Sequence, residues 1–346
     1  MLRSSMLSLC LLSLPAFAQQ PWTSVPSGTT AELRGLSVVS PAVAWASGAR
    51  GTVLRMTDGA SWQAMSVPGA EKLDFRDIHA LDANVALVMS AGPGDASRIM
   101  RTLDGGKIWR EVALNSDKDG FWDSMAFWDA NNGIVLGDPV DGKFQVYVTA
   151  DGGATWREVR ATGLESQKDE GAFAASGTAL TVQGSRDVWI ATGGAHTARV
   201  LRSSDRGMTW RAASLPIPAA APGKGIFSVG FFDANNGMAV GGDYKQPQLE
   251  GINGARTIDG GATWQAVSVL PTGYLSVVVP VAGTSRSLVA GGLAGSGFSV
   301  DGGQSWQTLD RTPVNTVGFA NPATGWAVGP KGLVMKYSGP DLTAPR

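Results

Sequence analysis

The stretch TADGGATW, residues 149–156, can be read as a catalytic loop or as a structural turn. An aspartate in a glycine-rich loop beside an aromatic ring can hold a cation, act as a general acid, or tie down its own backbone. Recurrence separates these readings. TLDGGKIW (102–109), SSDRGMTW (203–210), TIDGGATW (257–264) and SVDGGQSW (299–306) repeat the pattern, and MTDGASW (56–62) is a version one residue shorter. Their tryptophans, Trp62, Trp109, Trp156, Trp210, Trp264 and Trp306, are spaced by 47, 47, 54, 54 and 42 residues. One four-stranded blade of a β-propeller occupies about this length.

A second motif interleaves with the first, a short apolar strand running into glycine. It occurs as VAWASG (43–48), VALVMSAG (85–92), NGIVLG (132–137), DVWIATGG (187–194), NGMAVGG (236–242), SLVAGG (287–292) and GWAVG (325–329). These are seven strands against six aspartate turns. The missing piece lies at the other end of the chain, where WTSVPSG from Trp22 resembles WQAMSVPG from Trp62, the outermost strand after a turn. The last blade ends after GLVMKYSG without such a strand. The expected fold is therefore all-β, a single seven-bladed β-propeller over residues 19–338, closed by pairing of the N-terminal strand with the C-terminal blade. Closure of this kind removes the exposed edges that an open array leaves. The count of inner strands favours seven blades over six or eight.

The turn itself has a local explanation. Gly152 and Gly153 supply positive φ, the Asp151 carboxylate accepts hydrogen bonds from following amides, Thr155 adds a hydroxyl, and Trp156 buries a ring between blades. A calcium loop of the EF-hand type needs further oxygen ligands at fixed spacing, which the segment lacks. A single-chain enzyme also needs one constellation rather than six equivalents. Asp58, Asp104, Asp151, Asp205, Asp259 and Asp301 are thus expected to be scaffold.

These segments resemble the Asp-box, or BNR repeat, of sialidases and related propellers. Asp151, Asp205, Asp259 and Asp301 stand in full matches, whereas the second copy has Ile108 in place of a hydroxyl residue and the first is shortened. The resemblance implies turns between third and fourth strands, away from the functional face. Over nearly all of the chain beyond its first residues, the sequence also resembles the photosystem II stability/assembly factor family, on the signal segment, GWAVG at 325–329 and the DGGATW turns. That resemblance implies an exported propeller that assists assembly by binding protein.

The opening MLRSSMLSLCLLSLPAFAQQ has a basic residue, an apolar run and Ala16-Phe17-Ala18, and reads as a secretory signal over residues 1–18, cleaved before Gln19. The expected location is periplasmic or secreted, and residues 339–346 are expected to form a C-terminal tail. No later stretch approaches the roughly 20 apolar residues of a membrane-crossing helix. Cys10 is the only cysteine, so cleavage leaves no thiol for a disulfide, a zinc site or a nucleophile. The remaining chain has 27 basic and 29 acidic residues, a net charge of −2, which argues against nucleic acid as a partner. A monomer without cofactor or metal is expected.

Function is expected in the unrepeated loops on one face of the ring, NSDKDGFWD (115–123), GDPVDGKF (137–144), LESQKDEGAF (164–173), GGAHTAR (193–199) and GGDYKQPQLEGINGAR (241–256). Arg34, Arg76, Asp123, Asp138, His196, Asp243, Tyr244 and Lys245 are the candidate binding residues for a protein or glycan. If the protein is instead a glycoside hydrolase, two carboxylates about 5 to 10 Å apart must serve as acid and base or nucleophile, and Asp138, Asp141, Glu170 and Asp243 are the candidates, with Asp123 beside them. Sialidase chemistry fits poorly: there is no Arg-Ile-Pro segment, and Arg34 and Arg76 have no third inner-strand arginine at an equivalent place. A dinucleotide fingerprint is absent, and His79, inside an alternating strand, reads as a packed or edge residue rather than a ligand.

Overall fold

The structure, a computed structural model, describes residues 21–343, so the expected signal segment and its cleavage point lie outside the described residues. Seven four-stranded antiparallel sheets follow one another along the chain. Their innermost strands are Leu33–Ser40, Phe75–Ala80, Trp122–Phe127, Leu180–Gln183, Lys224–Phe231, Val277–Pro280 and Thr316–Asn321, and the sheets are numbered blades 1 to 7 in that order. Among the described residues the only helical segments are two 3₁₀ turns, Gly94–Ala96 and Pro330–Gly332. No helix there is long and apolar enough to cross a membrane.

Burial explains the difference between inner and outer strands. The second strand of each blade is sandwiched between neighbouring blades, so segments such as Val43–Gly48 and Ala86–Ser90 are buried almost throughout and read as unbroken apolar runs. Fourth strands such as Trp62–Ser66 hold one buried ring and otherwise face solvent. The core is a series of apolar seams between blades. One joins Ile134, Leu136 and Val146 of blade 3 to Val188, Ile190 and Leu201 of blade 4.

The ring closes as the sequence predicts. Trp22–Ser24 pairs antiparallel with Val334–Tyr337 in the register Trp22↔Tyr337, Thr23↔Lys336 and Ser24↔Met335. Trp22 is 4% exposed, meets Tyr337 and Phe319 edge-on at 5.3 and 5.8 Å, and donates its Nε1 proton to Ser296 Oγ of blade 6 at 3.1 Å. Blade 7 has no aspartate turn because its third and fourth strands come from opposite ends of the chain, leaving no hairpin there to tie.

Each of the six aspartate turns joins the third and fourth strands of its blade. In the full version, Asp151 accepts hydrogen bonds from the Thr149 hydroxyl (2.8 Å), the Thr155 amide (2.9 Å) and the Thr155 hydroxyl (2.6 Å). The Thr155 hydroxyl and amide hold the Asp151 carboxyl down at about 2. Asp104 keeps its bonds to the Lys107 and Ile108 amides at 3.1 and 3.0 Å, but Ile108 offers no hydroxyl and its side chain is exposed. Strand direction alternates, so these turns share one face with the hairpins between first and second strands. The connections between second and third strands, and from one blade to the next, emerge on the other face.

Replacing Trp22 by alanine removes a buried indole at the non-covalent joint that closes the ring. The expected loss is about 3–5 kcal/mol of unfolding free energy, read from urea denaturation, whereas the exposed Thr23→Ala on the same strand should leave the midpoint nearly unchanged.

Candidate functional site

The face opposite the aspartate turns carries a cavity of about 510 Å³ lined by residues of the inner strands and of the connections above them. A shared backbone irregularity builds its wall. The inner-strand register shifts between Leu33 and Gly35, Phe75 and Asp77, Trp122 and Ser124, and Ile226 and Ser228. The residue left unpaired at each bulge is Arg34, Arg76, Asp123 or Phe227, and all four line the cavity. A bulge re-aims a side chain that regular pairing would direct elsewhere. Asp138 occupies a further bulge, between Gly137 and Pro139 on the second strand of blade 3, and lines the same space.

Two arginines and two aspartates thus face one cavity, but their circumstances differ. Arg76 Nε donates to Asp74 Oδ2 at 2.8 Å, and Arg34 sits 3.4 Å from Glu32, which also accepts from Asn315 Nδ2 at 2.8 Å. The aspartates have no such basic partner. Asp138 Oδ1 accepts only the Ala172 amide, at 2.8 Å, and burial pushes its carboxyl up to about 6. Asp123 is 1% exposed, and neither of its carboxylate oxygens makes a hydrogen bond of full bonding geometry, the Ala174 amide being the one backbone group that favours its charged form. Burial, reinforced by the neighbouring Asp138 charge and opposed by Arg76, raises the Asp123 carboxyl well above the ordinary carboxylate range.

Aromatic residues form the rest of the wall. Phe173, on the connection between blades 3 and 4, stacks on Phe227 with ring centroids 3.9 Å apart, and Tyr274 meets Phe227 edge-on at 4.8 Å. Phe121 and Tyr244 complete the lining, with Tyr244 47% exposed at the surface. A second depression of about 540 Å³ shares Phe121, Asp138, Ala172, Phe173 and Gly223 with the first and continues past Asp119, Asp169 and Gly194. Together they form one groove that runs from Arg34 of blade 1 and Asn315 beside blade 7 across the inner strands to the connections of blades 2 to 5.

The other residues singled out from sequence lie elsewhere or are already engaged. Glu170 is buried in an ion pair, taking Arg199 Nε at 2.8 Å and Nη2 at 2.5 Å, together with the Thr192 hydroxyl at 2.6 Å and the Gln167 amide at 2.7 Å. No free oxygen remains for acid–base work. Asp243 accepts the Lys245 amide at 2.9 Å and lies 3.4 Å from Lys224 Nζ, so it caps its own turn. Asp141 is exposed at positive φ in the hairpin after Val140, and His196 is exposed outside the cavity. Lys245 places its ammonium 6.0 Å from the Tyr244 ring centre. His79 stacks on Phe127 at 4.5 Å, and burial lowers its imidazole to about 4, the packed role expected of it. Among the described residues no three His, Cys, Asp or Glu side chains converge as metal ligands.

No model of a known protein family matches this sequence, and no curated protein matches it. Solved structures do. The chain is similar in fold to YCF48. A structure of YCF48 bound to D1 peptide superposes with a TM-score of 0.67 at 17% identity, covering 96% of this chain and 100% of that one. YCF48 from Cyanidioschyzon merolae gives 0.64 at 19% identity, covering 92% and 98%. A GH74 xyloglucanase from Xanthomonas campestris gives 0.62 at 17% identity, covering 94% of this chain but 54% of the enzyme. At these identities the likeness is one of fold, and unrelated activities share propellers.

Because Glu170 serves Arg199, Glu170→Gln should destabilise the protein by about 3–5 kcal/mol in urea denaturation, the cost of leaving a buried charge unpaired. Near-wild-type stability in that variant would free Glu170 for a chemical role.

Proposed function

We propose that this protein is an exported, non-enzymatic scaffold that holds a polypeptide partner across the groove on the face opposite the aspartate turns. The observation that carries the reading is the groove itself. It is unrepeated, walled by aromatics, open along its length, and placed on the face that the aspartate turns leave free. Full-length likeness to a propeller described as bound to a peptide supports the same reading, as does the sequence resemblance to photosystem II stability/assembly factors with Asp-box repeats. The signal-like residues 1–18 support periplasmic or secreted location.

One observation favours a second reading, glycoside hydrolysis. Asp123 and Asp138 line one cavity, and burial with the Asp138 charge holds Asp123 well above the ordinary carboxylate range, as a general acid requires, while Asp138, raised less, to about 6, is the candidate for the ionised partner. Engagement of Glu170 and Asp243 by basic residues leaves this pair to do the work alone.

Capture from envelope extracts separates the readings when paired with surface variants. Tyr244→Asp, in the groove, should abolish recovery of the partner, whereas Ile258→Asp, exposed on an aspartate turn, should recover it undiminished. Loss with Ile258→Asp alone would place the interface on the wrong face. Turnover of any member of a glycoside panel that disappears in Asp138→Asn would replace the scaffold reading with the hydrolase.

A further inference from the structure

The charges around the cavity do not balance. Arg34 and Arg76 each have an acidic neighbour, Glu32 and Asp74, at 3.4 and 2.8 Å. Asp123 and Asp138 form no ion pair, Arg76 being already paired with Asp74, and neither Asp123 oxygen makes a hydrogen bond of full bonding geometry. An ionised carboxyl group buried without a partner is costly, and the cost is relieved either by taking up a proton or by a bound species that supplies the missing partner. Both aspartates also sit on bulges, so the backbone departs from regular pairing twice within one blade to bring them to this wall.

The missing species is a cation of particular shape. Phe121, Phe173, Phe227, Tyr244 and Tyr274 line the same cavity as Asp138, and aromatic faces attract organic cations while packing against their methylene stems. A calcium or magnesium ion instead needs six or so oxygens, which two aspartates and apolar rings do not provide. We propose that the cavity is a receptor for the side chain of a lysine or arginine of a polypeptide ligand, with Asp138 taking the cationic head, Asp123 lying behind it and the aromatic wall holding the stem. The inference rests on the polypeptide-binding reading and adds the chemistry that selects the ligand.

The test uses the chain from Gln19 to Arg346 and three capped tripeptides, acetyl-Gly-Lys-Gly-amide, its Nε-acetyl-lysine counterpart and acetyl-Gly-Glu-Gly-amide, titrated by NMR. The lysine peptide should bind at least about tenfold more tightly than the acetyl-lysine peptide, the difference a charge-assisted hydrogen bond makes. Asp138→Asn should erase that preference, with its fold checked by thermal melting. Tyr244→Leu, at the exposed mouth, should weaken lysine binding several-fold without a folding cost. Equal binding of all three peptides would overturn the inference and leave polypeptide binding standing. Binding of free agmatine, lost in Asp138→Asn, with no peptide bound would keep the cation receptor and remove the polypeptide. Binding of none of these probes, or of Ca²⁺ in their place, would overturn the proposal.

Discussion

The seating of each aspartate turn against the blade before it is the contact on which the ring depends. The turn delivers its tryptophan, or the glycine beside it, onto the second strand of the preceding blade. Trp62 meets Trp326 edge-on at 5.2 Å, and Trp109 meets Trp45 at 6.4 Å. At Gly153, where φ is 77°, an added Cβ would stand 2.3 Å from Leu87 Cδ2, so the backbone itself is packed against blade 2. Basic residues on third strands lie over several of these second-strand rings: Arg55 is 5.4 Å from Trp45, Arg202 is 5.4 Å from Trp189, and Lys336 is 5.5 Å from Trp326. Lys336 also donates to the Gly59 carbonyl at 2.7 Å, which links the last blade to the first.

This arrangement assigns the two faces different work. On one, the carboxylates are saturated by their own turns, and aspartates in the short hairpins do the same, as Asp129 does with the Asn131 and Asn132 amides at 2.8 and 2.9 Å. Polar groups satisfied so locally have little left to offer a ligand. On the other face the inner strands bulge, and the side chains thrown out by the bulges are left partly or wholly unsatisfied. Polar groups are satisfied locally where the sequence repeats and are left open where it does not.

How much of this the sequence revealed follows the same division. Blade number, closure by Trp22 and the self-binding of Asp151 were legible, because each rests on short-range patterns repeated along the chain. Asp123, Asp138, Arg34, Arg76 and Tyr244 were legible as candidates but not as neighbours, since their convergence depends on bulges that periodicity does not register. A signal for it exists in the aligned strand starts LRGL (33–36), FRDI (75–78), WDSM (122–125) and IFSV (226–229), where one variable residue sits between apolar and small positions. Glu170 stands out in the sequence as a free loop carboxylate because Arg199, with which it pairs, lies 29 residues on in the next blade. The aromatic wall of Phe121, Phe173, Phe227 and Tyr274 was not singled out, since isolated aromatics in loops and strands look like core.

Hydrogen–deuterium exchange of the protein alone and with its captured partner tests the division of faces most directly. Protection confined to segments 115–144, 165–175, 222–227 and 241–253 is the predicted result. Protection centred on the aspartate turns, with those segments unchanged, would contradict it.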